Sequence, residues 1–117
     1  MHKVYAVGVF QLDTAENAYR HIKDSRLWHL FANLEEAQEC VLQNRGDLFE
    51  YYYNYALIEE TYVIDKTDPP KEGEFGGLPR EWWYHADFSQ MDEDKNPKIT
   101  EVPKPACFEQ TVYFWVG

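Results

Sequence analysis

The sequence predicts an α+β domain: a mostly antiparallel sheet of about five strands with one main helix packed on one face. Three observations lead there. A single capped amphipathic segment runs from Asn33 to Gly46. Several short runs rich in Val, Ile, Tyr, Trp and Phe alternate with a period of two between clusters of Gly, Pro, Asn and Asp. A chain of 117 residues, 44% apolar and 27% charged, makes one domain over 1–117 and is long enough to bury a core without staples.

Val4 to Phe10 reads as the first strand. Val4, Ala6, Gly8 and Phe10 share one face and Tyr5, Val7 and Val9 the other, so both faces are largely apolar and the strand is expected inside the sheet. Gly8 marks an expected bulge or close approach. Gln11 to Asp24 is polar and irregular, with a short helical turn expected over Asp13 to Tyr19. Arg26 to Phe31 is the second strand. Asn33 then caps a helix, with Glu36 at the N3 position and Glu35 and Glu36 near the positive end of its dipole. Its apolar stripe is Leu34, Ala37, Cys40, Val41 and Leu48, its wet side Glu35, Glu39 and Gln43, and Gly46 is the expected residue just past its end. Leu48 and Phe49 should fold back under it. After the cluster Tyr51, Tyr52, Tyr53 and Tyr55, a third strand runs to Ile64. Asp65 to Arg80, with Pro69-Pro70 and Gly76-Gly77, is a long loop. Glu81 to Phe88 is a strand, Met91 to Asn96 an acidic turn, Lys98 to Val102 an edge strand, and Gln110 to Val116 a last strand. One helix covers only one sheet face. The other should meet loops or a second subunit, which predicts a homo-oligomer, most simply a homodimer.

The net charge of −10 speaks against direct nucleic-acid binding and favours a basic partner. Residues 1–33 carry four basic and three acidic groups (+1), so any anion-binding patch is expected in that third. Cys40 and Cys107 read as buried thiols, although a pairing between them stays open. No secretory signal and no membrane-spanning run is read, which predicts a cytoplasmic protein. Four histidines (His2, His21, His29 and His85) show no metal-ligand spacing, so neither a metal nor another cofactor is expected. Gly73, Gly76 and Gly77 lack the surroundings of a phosphate-binding loop.

Glu59 and Glu60 are neighbours on one strand and point to opposite faces, so they cannot form a dyad. Whichever faces the helix needs a partner, with Arg20, Arg26 and Arg80 as candidates. Arg20, Lys23, Arg26 and Trp28 form a basic group with an aromatic beside it, suited to a phosphate and a stacked ring. Trp82, Trp83 and Tyr84 should place one side in the interior and the other at an exposed or interfacial position, with ordinary packing as the default against an interface hot spot. The predicted ligand-binding residues are Arg20, Arg26, Trp28, Glu59 and Trp83, with no catalytic residue assigned.

The segments Val4 to Val9, Trp28, Asn33-Leu34-Glu35-Glu36-Ala37, Asn44 to Glu50, Tyr55 to Glu60 and Glu81-Trp82-Trp83-Tyr84 resemble a family of small proteins of phages, prophages and bacterial genomes that has no assigned activity. The resemblance implies a phage or mobile-element accessory protein. Three functions are therefore expected in turn. The first is non-catalytic binding of a small anionic, nucleotide-like ligand, with Arg20 or Arg26 converging on Trp28, Trp83 or a Tyr. The second is inhibition of a basic host enzyme through an acidic face of Glu35, Glu36, Glu39, Asp47 and Glu50 that imitates nucleic acid. The third is a small hydrolase using Glu59 or Glu60 with His85 or His29.

Overall fold

The computed structural model describes residues 2–12, 22–50, 53–63, 66–67 and 80–105. They form β1 (His2–Leu12), β2 (Ile22–Phe31), α1 (Leu34–Leu42), β3 (Tyr55–Val63), β4 (Glu81–Asp87) and β5 (Lys98–Val102). The sheet has five strands in the order β2-β1-β3-β4-β5, and every neighbouring pair is antiparallel. This is the predicted α+β architecture. The expected turn over Asp13 to Tyr19, most of the loop up to Arg80, Cys107 and the expected strand Gln110 to Val116 lie outside the described residues.

β1 is apolar on both faces because it is flanked on both sides and buried on both faces: Tyr5 to Phe10 are all buried. The irregularity expected at Gly8 falls between Val7 and Gly8. The extra residue, Trp28, belongs to β2, since Val7 pairs with His29 and Gly8 with Leu27. Tyr5, Val7 and Val9 of β1, Ala56 and Ile58 of β3, and Tyr84 and Ala86 of β4 pack with Ala37 and Val41 of α1 and with Leu48 and Phe49. Leu48 and Phe49 do return beneath the helix and are sealed from solvent.

The helix begins as read: Asn33 is extended (φ −140°, ψ 157°) and its Oδ1 accepts from the Glu36 N–H at 2.8 Å. It ends earlier than expected. Gln43 is the C-cap, and the residue past it in the left-handed region is Asn44 (φ +48°), not Gly46. The Arg45 N–H donates to Cys40 O at 3.0 Å and the Asn44 N–H to Val41 O at 3.1 Å, the paired bonds of a Schellman ending. Asn can occupy this region, and the left-handed conformation of Gly46 (φ +63°) serves the following turn instead. A Cβ on Gly46 would stand 3.0 Å from Trp28 Cζ2, so the turn rests directly on the indole. Asn44 is 7% exposed and does more than end the helix: its Oδ1 accepts from the Phe49 N–H and its Nδ2 donates to Asn96 Oδ1, each at 2.9 Å.

On the face away from α1, Ala6, Phe10, Leu57 and Trp83 are buried within the single chain. The open greasy face from which a second copy was expected is therefore closed at its centre. The large hydrophobics which that face exposes among the described residues are Leu27 and Leu30 on β2 and Val63 on β3, 43%, 56% and 46% exposed.

Candidate functional site

Arg26 and Trp28 are brought together on β2. The Arg26 guanidinium carbon lies 4.8 Å from the Trp28 ring centroid and 5.7 Å from that of Tyr53. Its Nη2 lies 2.6 Å from Glu50 Oε1. The pairing is a Coulombic contact rather than an aligned hydrogen bond, because neither Nε nor Nη2 has an acceptor in bonding geometry. Rings take the place of acceptors here, as cation–π contact allows. Trp28 is itself fixed, with Gly46 against its ring and its indole bonded to Cys40. Burial pushes the Cys40 thiol up, and the Trp28 bond and the Arg45 charge offset part of that. Of the predicted ligand residues, Arg26 and Trp28 converge, with a tyrosine as third member; Arg20 lies outside the described residues.

Glu59 and Trp83 do not join them. Both project from the opposite face, where Glu59 pairs across the sheet with Ala6 and Glu81, and Trp83 with Leu57. Trp83 stacks on Phe10 (5.7 Å, 23°), and its Nε1 donates to Glu81 Oε2 at 3.0 Å. The split role expected for Trp82 to Tyr84 is corrected: Trp83 and Tyr84 are buried on opposite faces and Trp82 is half-buried. β4 is an inner strand with packing above and below it.

Glu59 and Glu60 do diverge as expected, and both are buried. Glu60, on the helix side, has the expected kind of partner: Arg80 Nη2 and Nε donate to its Oε2 at 2.6 and 3.0 Å. Tyr5 Oη donates to the same oxygen at 3.4 Å, and Lys3 Nζ stands 3.8 Å from Oε1. Arg80 also lies over Trp82, 5.2 Å from its centroid, and Tyr5 meets Trp82 edge-on at 6.2 Å. The Arg80 bond, with the charges of Arg80 and Lys3, holds the Glu60 carboxyl below the usual carboxylate range against the opposing effect of burial.

Sequence reasoning missed this second arginine–tryptophan unit. Its signal was present: Arg80-Glu81-Trp82 repeats the spacing of Arg26-Leu27-Trp28, and two residues along a strand put both side chains on one side.

The sheet register does not bring Glu59 or Glu60 together with His85 or His29. His85 pairs across from Tyr55, four residues along β4 from the Glu81 that faces Glu59, a separation of about 13 Å. His29 lies on β2 opposite Val7, with β1 standing between it and β3. Among the described residues no cluster of three or more His, Cys, Asp or Glu could hold a metal, and no helix is long and apolar enough to cross a membrane.

Charge is arranged in two regions. Glu35, Glu36, Glu39 and Asp47 are exposed on and beside α1, and Asp92, Glu93 and Asp94 are exposed in the turn that Asn96 ties to Asn44. Glu101 is also exposed, on β5, which packs beside α1. Arg45, Lys95 and Lys98 are exposed among these acids, while Lys3 and Arg80 sit where β1 and β4 begin. No family model matches the chain, and no curated protein or solved structure matches it either.

Proposed function

We propose that this protein works by binding without turnover, and that its ligand is a small anionic, nucleotide-like molecule held by a guanidinium lying over an indole. The carrying observation is Arg26, 4.8 Å above the Trp28 ring and 36% exposed. The bland alternative is that Arg26 simply latches the turn bearing Glu50 to the sheet. The two differ in what Glu50 does. For a binding site Glu50 is an internal competitor, so Glu50→Gln should strengthen anion binding while Arg26→Ala weakens it about tenfold. A calorimetric panel of nucleotides on the full chain tests this. No ligand at high micromolar concentration, or equal affinity in all three proteins, counts against it. Sequestration of such a ligand suits the accessory role in a phage or mobile element that the sequence resemblance implies.

A second reading is favoured by the 2.9 Å bond between Asn44 and Asn96, which sets the acidic turn beside the acidic helix. In this reading the joined surface imitates nucleic-acid charge toward a basic host protein. Reversing Glu35, Glu36 and Asp94 to Lys should abolish capture of that partner, and unchanged capture removes the reading. Self-association is a further proposal. It would use Leu27 and Leu30 on β2, and Leu30→Glu should then shift the sedimentation coefficient to that of a monomer.

A further inference from the structure

We infer that Arg80 and Lys3 form a binding site for the phosphate group of a small molecule, with Glu60 and Trp82 as positioning residues. The site is separate from Arg26 and stands whether or not Arg26 binds a ligand.

Four features carry the inference. First, the cations are displayed while their shared carboxylate is hidden: the side chains of Arg80 and Lys3 are 60% and 53% exposed, and that of Glu60 is 6% exposed. Second, the guanidinium is fixed before any ligand arrives. Nε and Nη2 both donate to one oxygen of Glu60, and Trp82 lies beneath the plane at 5.2 Å. An arginine already held in place loses less freedom on binding. Third, donors remain unspent. Two of the five N–H groups of Arg80 go to Glu60 and the Tyr5 side chain is a further hydrogen-bond partner, so these two residues engage at most three of the five. Lys3 Nζ, 3.8 Å from Oε1, is within ion-pair range but beyond hydrogen-bond length, so its ammonium donors are not spent on Glu60. Fourth, among the described residues two cations face one carboxylate and leave a charge of +1, whereas Arg26 with Glu50 and Arg45 with Glu39 are pairs of one and one.

The chemistry selects the ligand class. A planar guanidinium and a compact ammonium gathered around one carboxylate suit a tetrahedral dianion better than a flat, singly charged carboxylate. The net charge of −10 disfavours a polymer of phosphates, which points to a small molecule.

The test is an NMR titration of the full chain with inorganic phosphate and, separately, with adenosine 5′-monophosphate, following the Arg80 Nε–H and the indole N–H of Trp82 and Trp28. Saturable shifts at Arg80 and Trp82 are expected, whether or not Trp28 moves as well. Arg80→Lys keeps a charge against Glu60, and so the fold, but loses the fork; it should bind about tenfold more weakly. Lys3→Gln, at an exposed position, should bind several-fold more weakly. Binding of both ligands identifies phosphate alone as sufficient, and binding of the nucleotide alone shows that the organic group contributes; either supports the site if both variants weaken it. Shifts confined to Arg26 and Trp28 would support the proposed function and overturn this inference. So would shifts that never saturate, or affinities unchanged in Arg80→Lys and Lys3→Gln.

Discussion

Arg26 and Arg80 stand in the same local setting, two residues ahead of a tryptophan, yet the fold uses them in different ways. At Arg26 the two partners are about equally covered, their side chains 36% and 31% exposed. Two rings contact the guanidinium, and its carboxylate comes from a turn that α1 hands back to the sheet. At Arg80 the carboxylate is enclosed and the cation faces water. A guanidinium over an indole is therefore not a function by itself. Whether the carboxylate alone is buried or both partners are half-covered separates the unit that presents a charge from the one that closes the structure.

Substitutions can break or sharpen this contrast. The largest effect is expected from Trp28→Ala, which removes the ring under Arg26 and Gly46 and leaves a cavity against the core. It should cost about 3 kcal/mol in chemical denaturation. Glu60→Gln comes next. It keeps the volume but turns a carboxylate held by two Arg80 bonds into a poor partner, and should cost about 2 kcal/mol. The same variant has a signature in pH. The folded carboxyl of Glu60 is lowered, chiefly by its Arg80 bond, so its stabilisation is complete above the unfolded value of about 4.3 and is lost as pH falls through the lower folded value. Acid unfolding followed by circular dichroism should become less steep in Glu60→Gln. A smaller loss, about 1 kcal/mol, is expected for Arg26→Ala, which forfeits cation–π contact and a partly screened ion pair. If Arg26→Ala proves costlier than Glu60→Gln, the contrast is reversed. The smallest effect belongs to Asp87, whose carboxyl is lowered by the Ser89 hydroxyl and then by Gln90. Its bonds stay within its own turn, so Asp87→Asn should leave the denaturation midpoint nearly unmoved near neutral pH while slightly reducing its acid dependence.

How much of this could be read in advance depended on how local the cause was. The Asn33 cap, the apolar stripe through Ala37, Cys40 and Val41, and the two-sided burial of β1 follow from spacing alone, and they fixed the fold class. The helix end was misplaced because two residues compatible with left-handed backbone, Asn44 and Gly46, stand close together. Only tertiary bonds to Phe49 and Asn96 select the first. The predicted site mixed both faces of the sheet. Strand parity sends Glu59 and Trp83 one way and Arg26 the other, but the parity of one strand relative to another is set by register, which a single sequence does not show. Arg80 was placed in the preceding loop because the aromatic run starts after it. In the structure the Glu60 N–H donates to Arg80 O at 2.9 Å, which carries the β3–β4 ladder one residue further and delivers the guanidinium to Glu60.

The Asn44 amide has a consequence for motion. It shares bonds with the turn at Phe49 and with Asn96, which sits just before β5, so these segments cannot loosen one at a time without stranding an enclosed polar group. The helix terminus, the returning apolar turn and the acidic loop form one cooperative opening unit. Slow amide hydrogen exchange at Arg45 and Phe49 should therefore accelerate together when Asn96 is replaced, although Asn96 lies far away in the chain.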